Sequence, residues 1–190
     1  MSISAGISRA EAWTLLQEHV QGPNMIKHCL ASEAVMRAAA KRLGQDEEAW
    51  GLAGLLHDLD VEATGGDLKV HGSKTAEVLA ARGVAPEIVD AIVMHNELAH
   101  GRKRSAVFHK ALAACETITG LVTATTLVYP DKKLASVKPS SVVKRMKEKG
   151  FAASVDRGII RECEEIGIPL PEFAELAVAA MRAIAADLGL

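Results

Sequence analysis

The chain has 190 residues, of which 49% are hydrophobic and 24% charged, and its formal net charge at pH 7 is -2. This length fits one domain with a full hydrophobic core. The small net charge gives no general attraction for nucleic acid or for an anionic membrane. The sequence has no long apolar run and no signal-peptide pattern, so we expect a cytoplasmic protein that binds neither.

The helical signals of the first half of the chain predict five helices before residue 100. Ser8 and Glu11 have the spacing of a capping box, and Gly44 is placed to end the second helix. The five helix starts are marked by a capping residue or by an initial proline, at Ser8, Pro23, Asp46, Ser73 and Pro86.

The second half begins with a basic loop, "HGRKRSA", and an apolar segment, "VFHKALAACETITGLVTATTLV". The β-branched end of that segment is compatible with helix or strand, and we interpret it as helix. Three more helices are predicted in "SVVKRMKEKG", "SVDRGIIRECEEIG" and "PEFAELAVAAMRAIAADLG". No alternating strand pattern competes with these signals, so the predicted fold class is all-α.

The three cysteines, Cys29, Cys115 and Cys163, are odd in number and have no C-x-x-C spacing. This pattern indicates neither a disulfide framework nor a thiolate metal site. We expect reduced, buried thiols that pack as small hydrophobic side chains.

Histidines occur at the ends of several predicted helices. An adjacent pair, His57 and Asp58, ends the third helix, while His28, His71 and His95 belong to three other elements. Each histidine alone is more often structural, but imidazole and carboxylate together are suitable ligands for zinc, iron, manganese or nickel. Helical bundles build metal sites from facing helices. A carboxylate near a core also requires a partner, and a cation is the strongest one.

In their order and context these residues resemble the HD superfamily of metal-dependent phosphohydrolases, named for its His-Asp pair. "GLLHDLD" and "AIVMHNE" resemble helices of the family, and "ETITGLV", "DKKLASV" and "IAADLGL" resemble its HDIG-type branch of predicted bacterial and archaeal hydrolases. The resemblance implies a single HD-domain helical bundle over residues 1–190. Its core would span about 20–125, and a C-terminal helical extension would span about 126–190.

The resemblance also implies two divalent metal ions. The first would be held by His28, His57, Asp58 and Glu116, and the second by Asp58, His71 and His95. In the family the last ligand is the aspartate of an A-x-D-x-x-T-G pattern, whereas "ACETITG" has Glu116 at that position. The longer side chain leaves open a weaker first site, a changed metal preference or an altered function. A half-buried acid paired with a neighbouring base is the structural alternative.

The activity implied is hydrolysis of a phosphate ester, with Asp58 bridging the metals. Two cations lower the pKa of a shared water, so that hydroxide forms at neutral pH, and they neutralise the phosphoryl oxygens. The substrate would be a nucleotide or another small phosphorylated metabolite. The alternatives are a non-catalytic HD-fold protein that binds a nucleotide or metal, and a di-iron oxygenase on this fold. The sequence leaves the oligomeric state open, and a homodimer is one alternative.

Three basic residues are candidates for binding the substrate phosphate. Lys74 follows His71 by three residues, and if Ser73 caps the helix its ammonium could lie beside the second metal, where we also assign it a catalytic role. Arg102 and Arg104 in "GRKR" form a second candidate clamp. Solvated side chains are the alternative for all three. His100 and His109 are candidate proton donors to the leaving group.

Other polar residues are expected to support the site. Asp60 and Glu62 would support it or face solvent, and Asn96 and Glu97 would orient His95. The region from about Val142 to Leu190 contains no histidine and is predicted to supply no ligand. Its acids Glu162, Glu164 and Glu165 are expected on a solvated face. Its apolar residues are expected in the core or at a dimer contact, namely Ile159, Ile160, Phe173, Leu176 and Met181.

Overall fold

The structure is a computed structural model that describes residues 3–190. Over this range the chain forms ten α-helices and two short 3₁₀ helices, and the described residues include no strand. The prediction of an all-α fold is therefore confirmed. None of the described helices is long and apolar enough to cross a membrane.

The helices of the first two thirds are α1 (Arg9–His19), α2 (Pro23–Leu43), α3 (Glu47–Leu56), α4 (Ser73–Ala81), α5 (Pro86–His95) and α6 (Val107–Leu127). They are followed by α7 (Pro139–Arg145), α8 (Arg157–Glu165), α9 (Leu170–Ala183) and α10 (Ala185–Leu188). The 3₁₀ helices lie after α5 (Glu97–Ala99) and before α7 (Leu134–Ser136). The segment between α3 and α4 consists mainly of turns.

Most helix starts follow the predicted caps. Ser8 and Glu11 form the expected capping box, and the Asp46 carboxylate accepts a hydrogen bond from an amide of α3. The prediction for α4 is wrong, because Gly72 occupies the cap position with φ 95° and Ser73 is the first helical residue. Glycine adopts this backbone conformation without the steric cost that a serine would incur. The free amides of α4 are bonded by a distant carboxylate, described below.

The centre of the bundle is made by α2, α3, α5 and α6. Helices α2 and α3 approach closely at Gly54, where an added Cβ would lie 2.7 Å from the Ser32 carbonyl oxygen. A methyl group does not fit at this distance, so glycine is required for the close approach. This packing places the end of α3 directly beside the middle of α2.

The apolar segment with a β-branched end is helical to Leu127. Thr125 and Thr126 are buried there, and their hydroxyls donate to the carbonyls of Leu121 and Val122, one turn earlier. This bonding satisfies the hydroxyls inside a helix. It explains why the strand-like residues do not break α6.

The C-terminal helices complete the core, with α8 packed on α6 and α9 packed on α2 and α7. Ile160, Phe173 and Met181 are buried as expected, and Leu176 packs partly against the core. Ile159 differs, because it lines a cavity. The three cysteines are free and buried, as expected.

Candidate metal centre

Five predicted ligands from four parts of the fold meet in one cluster. His28 comes from α2, His57 caps the end of α3 and is followed by Asp58, His71 lies in the loop before α4, and His95 is the last residue of α5. A cavity of about 660 Å³ opens beside them, and all but the fully buried His57 line it.

The ligand atoms form two groups that share Asp58. Within each group, the atoms lie within 4.8 Å of one another; the groups are His28, His57 and Asp58, and Asp58, His71 and His95. One Asp58 oxygen, Oδ2, lies 3.6 Å from His28 Nε2, and the other, Oδ1, lies 2.9 Å from His71 Nε2. A carboxylate in this position can bridge two cations. Neither group includes a described residue beyond position 141, and Asp156 of the C-terminal region lines the cavity.

Backbone carbonyls orient two of the imidazoles. His57 Nδ1 donates to the Gly54 carbonyl at 2.9 Å, and His95 Nδ1 donates to the Ile92 carbonyl. A carbonyl oxygen has no proton to give, so Nδ1 carries the proton in both rings. The Nε2 lone pair of each ring therefore faces the cluster, as metal binding requires.

His28 is oriented in the same way through Thr119 of α6. The Thr119 hydroxyl donates to the Glu116 backbone carbonyl at 2.7 Å, which uses its only proton. Its oxygen must then accept the proton of His28 Nδ1, which lies 3.0 Å away. The His28 Nε2 lone pair is thereby also directed at the cluster.

Asp60 fixes His71 and the start of α4 together. Its carboxylate is 2% exposed and accepts a 2.7 Å hydrogen bond from His71 Nδ1. It also accepts bonds of 2.9–3.1 Å from the backbone amides of Gly72, Lys74 and Thr75. Burial opposes ionisation of Asp60, but the bonds from His71 and these amides outweigh it and lower its pKa to about 2. Of the two expectations for Asp60, support of the site is the one observed.

The Nε2 atoms face one another in two close pairs. His28 Nε2 lies 3.2 Å from His57 Nε2, and His71 Nε2 lies 3.0 Å from His95 Nε2. Because Nδ1 carries the proton in each neutral ring, these contacts bring lone pairs together, which is repulsive. A cation at each pair removes the repulsion, as does a proton on one of the two rings. The donor set therefore fits a metal ion in each group.

The electrostatics of the metal-free cluster decide where protons reside. Burial and the neighbouring His57 lower the pKa of His28 to about 4, and they lower that of His95 to about 3. His71 is also buried, but its hydrogen bonds to Asp58 and Asp60 raise its pKa to about 10. Without metal, His71 therefore holds a proton at neutral pH, whereas His28 and His95 are neutral.

Glu116 faces the same cavity from α6, at the edge of the first group. Its Oε2 lies 3.7 Å from His28 Nε2, while its other oxygen accepts a hydrogen bond from the neighbouring Thr117 hydroxyl. Two ligands of one tetrahedral zinc ion lie about 3.3 Å apart. Burial raises the pKa of Glu116 to about 8. The Thr117 hydrogen bond lowers this pKa, and the nearby Asp58 charge raises it further. Its place is thus compatible with a ligand, although it is not a member of either close group.

Two of the three predicted phosphate-binding residues do not line the cavity. Lys74 is exposed, and its backbone amide, not its ammonium, contacts the site by bonding Asp60. The assumed cap at Ser73 is absent, so the reason for placing the ammonium beside His71 no longer holds. The Arg102 side chain is 60% exposed and lies 3.9 Å from Asp90.

Arg104 does line the cavity, where it connects α5 to α8. Its side chain is 6% exposed and donates to the Glu162 carboxylate at 2.7 and 2.9 Å and to the His95 carbonyl at 3.0 Å. The expectation that Glu162 faces solvent is wrong, because Arg104 covers it. Glu164 and Glu165 are exposed as expected.

The two polar residues that were expected to orient His95 form hydrogen bonds with the surrounding loops instead. Asn96 donates to the carbonyls of Leu68 and His71 at 2.7 and 2.9 Å, so it holds the His71 loop in place and does not orient His95. Glu97 accepts bonds from the Arg104 amide and from Lys103.

Three residues considered as supporting or proton-donating groups lie elsewhere. Glu62 accepts the amide of Gly22 at 2.7 Å, at the start of α2. His109 pairs with Asp90 at 2.8 Å, and neither it nor His100 lines the cavity.

A comparison with protein families gives one match. A family model of the HD domain matches residues 25–127, which is more than half of the chain. The matched range runs from α2 to α6 and contains both ligand groups and Glu116. It describes the HD domain as a whole and identifies no branch. Comparisons with curated proteins and with solved structures find no match.

Proposed function

The chain belongs to the HD-domain family, and from that premise we propose that it is a phosphohydrolase that cleaves a small phosphate ester with bound divalent cations. The family indicates metal-dependent hydrolysis. The observation that carries the proposal for this chain is the pair of facing Nε2 contacts on the two sides of Asp58. A cation bound at each pair would be held by the inward-facing Nε2 atoms of two imidazoles.

The residues that would hold the cations are those of the two groups, with Glu116 added to the first. Bound cations would supply a nucleophile by lowering the pKa of water, and would neutralise the phosphoryl oxygens. Asp58 would contribute one oxygen to each site, because its two oxygens face different groups. Asp60 and Thr119 would keep His71 and His28 in their metal-binding tautomers.

The charges around the cavity support a strong dependence on metal. Its lining includes the carboxylates of Asp58, Glu97 and Asp156 and the carboxyl group of Glu116. Its two cations, Arg104 and the protonated His71, already pair with Glu162 and with Asp58 and Asp60. Without metal such a cavity repels a phosphate. Its volume of about 660 Å³ is suitable for a small ligand. Substrate binding, and not only turnover, should therefore disappear when the metal is removed.

The test is anaerobic purification and elemental analysis, followed by chelation and reconstitution with manganese, iron, zinc or nickel. Each form is assayed on phosphomonoesters, nucleotides and cyclic nucleotides. We expect about two ions per chain and hydrolysis of at least one ester. Asp58→Asn should abolish both, and Asp67→Asn, at an exposed aspartate outside the cluster, should leave both unchanged.

One alternative is favoured by a particular observation. The Glu116 carboxylate lies outside the close groups and carries a raised pKa, which is compatible with a protein that binds metal or nucleotide without turnover. Stoichiometric metal with no hydrolysis of any ester would support that alternative. Iron-dependent consumption of oxygen would instead identify an oxygenase.

A further inference from the structure

A second cavity, of about 520 Å³, adjoins the metal centre between α2, α6 and the end of the chain. His28 and Gly120 line both cavities, so the two meet at these residues. Thr119, whose hydroxyl oxygen orients the His28 imidazole, lines the second cavity. A molecule bound in the second cavity would therefore lie directly beside the first ligand group.

The second cavity contains a half-buried lysine, Lys27, with no ion pair among the described residues. Lys27 precedes His28 on α2, and its Nζ lies 3.0 Å from the point where a Cβ of Gly189 would be. It forms no hydrogen bond or ion pair with another described residue. By contrast, the half-buried Lys110 pairs with Glu165 at 2.6 Å. Partial burial of an ammonium is unfavourable unless an anion compensates it.

Neutral hydrogen-bonding groups accompany this ammonium. Thr119 and Thr123 are one turn apart on α6 and both line the cavity, as does Asn24 at the start of α2. The side chains of Thr123 and Asn24 have no partner among the described residues. An ammonium, a hydroxyl and an amide around one space can all donate to the oxygens of a phosphate or carboxylate. The opposite side is apolar and is formed by Leu127, Leu188 and Leu190.

We propose that the second cavity binds a second anionic group of the substrate, through Lys27 and Thr123. This inference rests on the proposed function, since it assumes that the ester is cleaved at the metal centre. The substrate class is then a phosphate ester with a further phosphate or carboxylate, joined by a linker that passes His28 and Gly120. The metal-site cavity has no unpaired basic side chain among its described lining residues, so Lys27 supplies the charge recognition that Lys74 and Arg102 do not.

The test compares hexane-1,6-diol bisphosphate with hexyl phosphate, which has one anionic group, on the metal-loaded full chain. The measured quantity is the ratio of the two kcat/KM values. Lys27→Met should lower this ratio about tenfold, the usual effect of losing one charge-assisted hydrogen bond. Lys27→Arg should retain most of it, and Thr123→Val should lower it about threefold. Lys41→Met, at an exposed lysine of the same helix, is the control and should leave the ratio unchanged.

A further substrate, 6-(phosphonooxy)hexanoate, has a carboxylate in place of the second phosphate. The substrate whose kcat/KM falls more in Lys27→Met carries the anion that Lys27 binds better. Calorimetric binding of the bisphosphate separates this inference from the proposed function. Binding that depends on Lys27 without any hydrolysis would support the subsite and contradict the hydrolase. Hydrolysis with the same preference ratio in Lys27→Met and wild type would overturn the subsite and leave the hydrolase intact.

Discussion

Replacement of Asp60 by asparagine should weaken metal binding without touching a ligand. The carboxylate accepts His71 Nδ1–H on one side and the first amides of α4 on the other. An asparagine amide has one accepting oxygen and one donating nitrogen, so it cannot serve both sides. If the oxygen faces α4, the nitrogen faces His71 and stabilises the tautomer with its proton on Nε2. That tautomer cannot bind a metal at this atom.

The magnitude follows from the bonds that are lost. Loss of an acceptor of a ligand imidazole lowers metal affinity about 10- to 100-fold. The folded metal-free protein also loses a charged acceptor in a buried position, which costs about 1–3 kcal/mol of unfolding free energy. Loss of the negative charge at the start of α4 adds about 0.5 kcal/mol.

The assays are competition with a chelating dye for metal affinity, and urea unfolding in excess chelator for stability. Asp67→Asn is the matched control, because Asp67 is exposed in the same loop and its carboxylate accepts a local hydrogen bond from the Lys69 amide. It should change stability by less than about 0.5 kcal/mol. If Asp60→Asn bound metal as tightly as Asp67→Asn, the tautomer argument would be wrong.

Three further perturbations test other parts of the site. Glu116→Gln should lower metal occupancy and turnover together, whereas Glu116→Asp should preserve or raise both, as elemental analysis and a phosphate-release assay would show. The metal-free protein should lose stability as pH rises from about 6.5 to about 10, since Glu116 and His71 keep protons in the folded state up to pKa values of about 8 and about 10 that the unfolded chain releases near 4.5 and 6.5. Below pH 6.5 the lowered pKa values of His28 and His95 act in the opposite direction. Urea unfolding in chelator at pH 6 and pH 9 measures this difference, which bound metal should reduce by displacing the protons. Arg104→Met should cost about 3 kcal/mol by leaving Glu162 half-buried and unpaired, and Glu162→Met in the same chain should restore part of this loss in a urea titration.

The sequence was sufficient to predict most of the helices because they depend on local signals. The meeting of the histidines, which are far apart in the chain, was expected from the resemblance to the HD superfamily. Proline, capping residues and apolar periodicity define most helix ends. The His-Asp pair after α3 is the motif from which the other candidate ligands were identified. The β-branched part of α6 was harder, since its helical state depends on burial and on the hydroxyl bonds of Thr125 and Thr126.

The partners of buried charges could not be predicted, because they join residues far apart in the chain. Asp60 caps a helix that begins 13 positions later, which no capping pattern describes. Arg104 and Glu162 are 58 residues apart, and each alone resembles a solvated charge. One signal was available for the support of His28, since Thr119 belongs to the same "ETITG" motif as Glu116. Its role depends on which atom its hydroxyl faces, and that is a property of the folded chain.

The substitution of glutamate for the family aspartate can be tested cleanly because α6 contributes to the site in two separate ways. Thr119 orients His28, and its hydroxyl bonds the backbone carbonyl of Glu116, not its carboxylate. A change of side chain at position 116 therefore leaves the His28 tautomer intact, and any loss of metal reports on the carboxylate alone. Metal binding must also displace the proton that Glu116 holds below its pKa of about 8. If the carboxylate is a ligand, metal uptake at pH 7 should release more protons from the wild type than from Glu116→Gln, whereas equal release would remove Glu116 from the metal site.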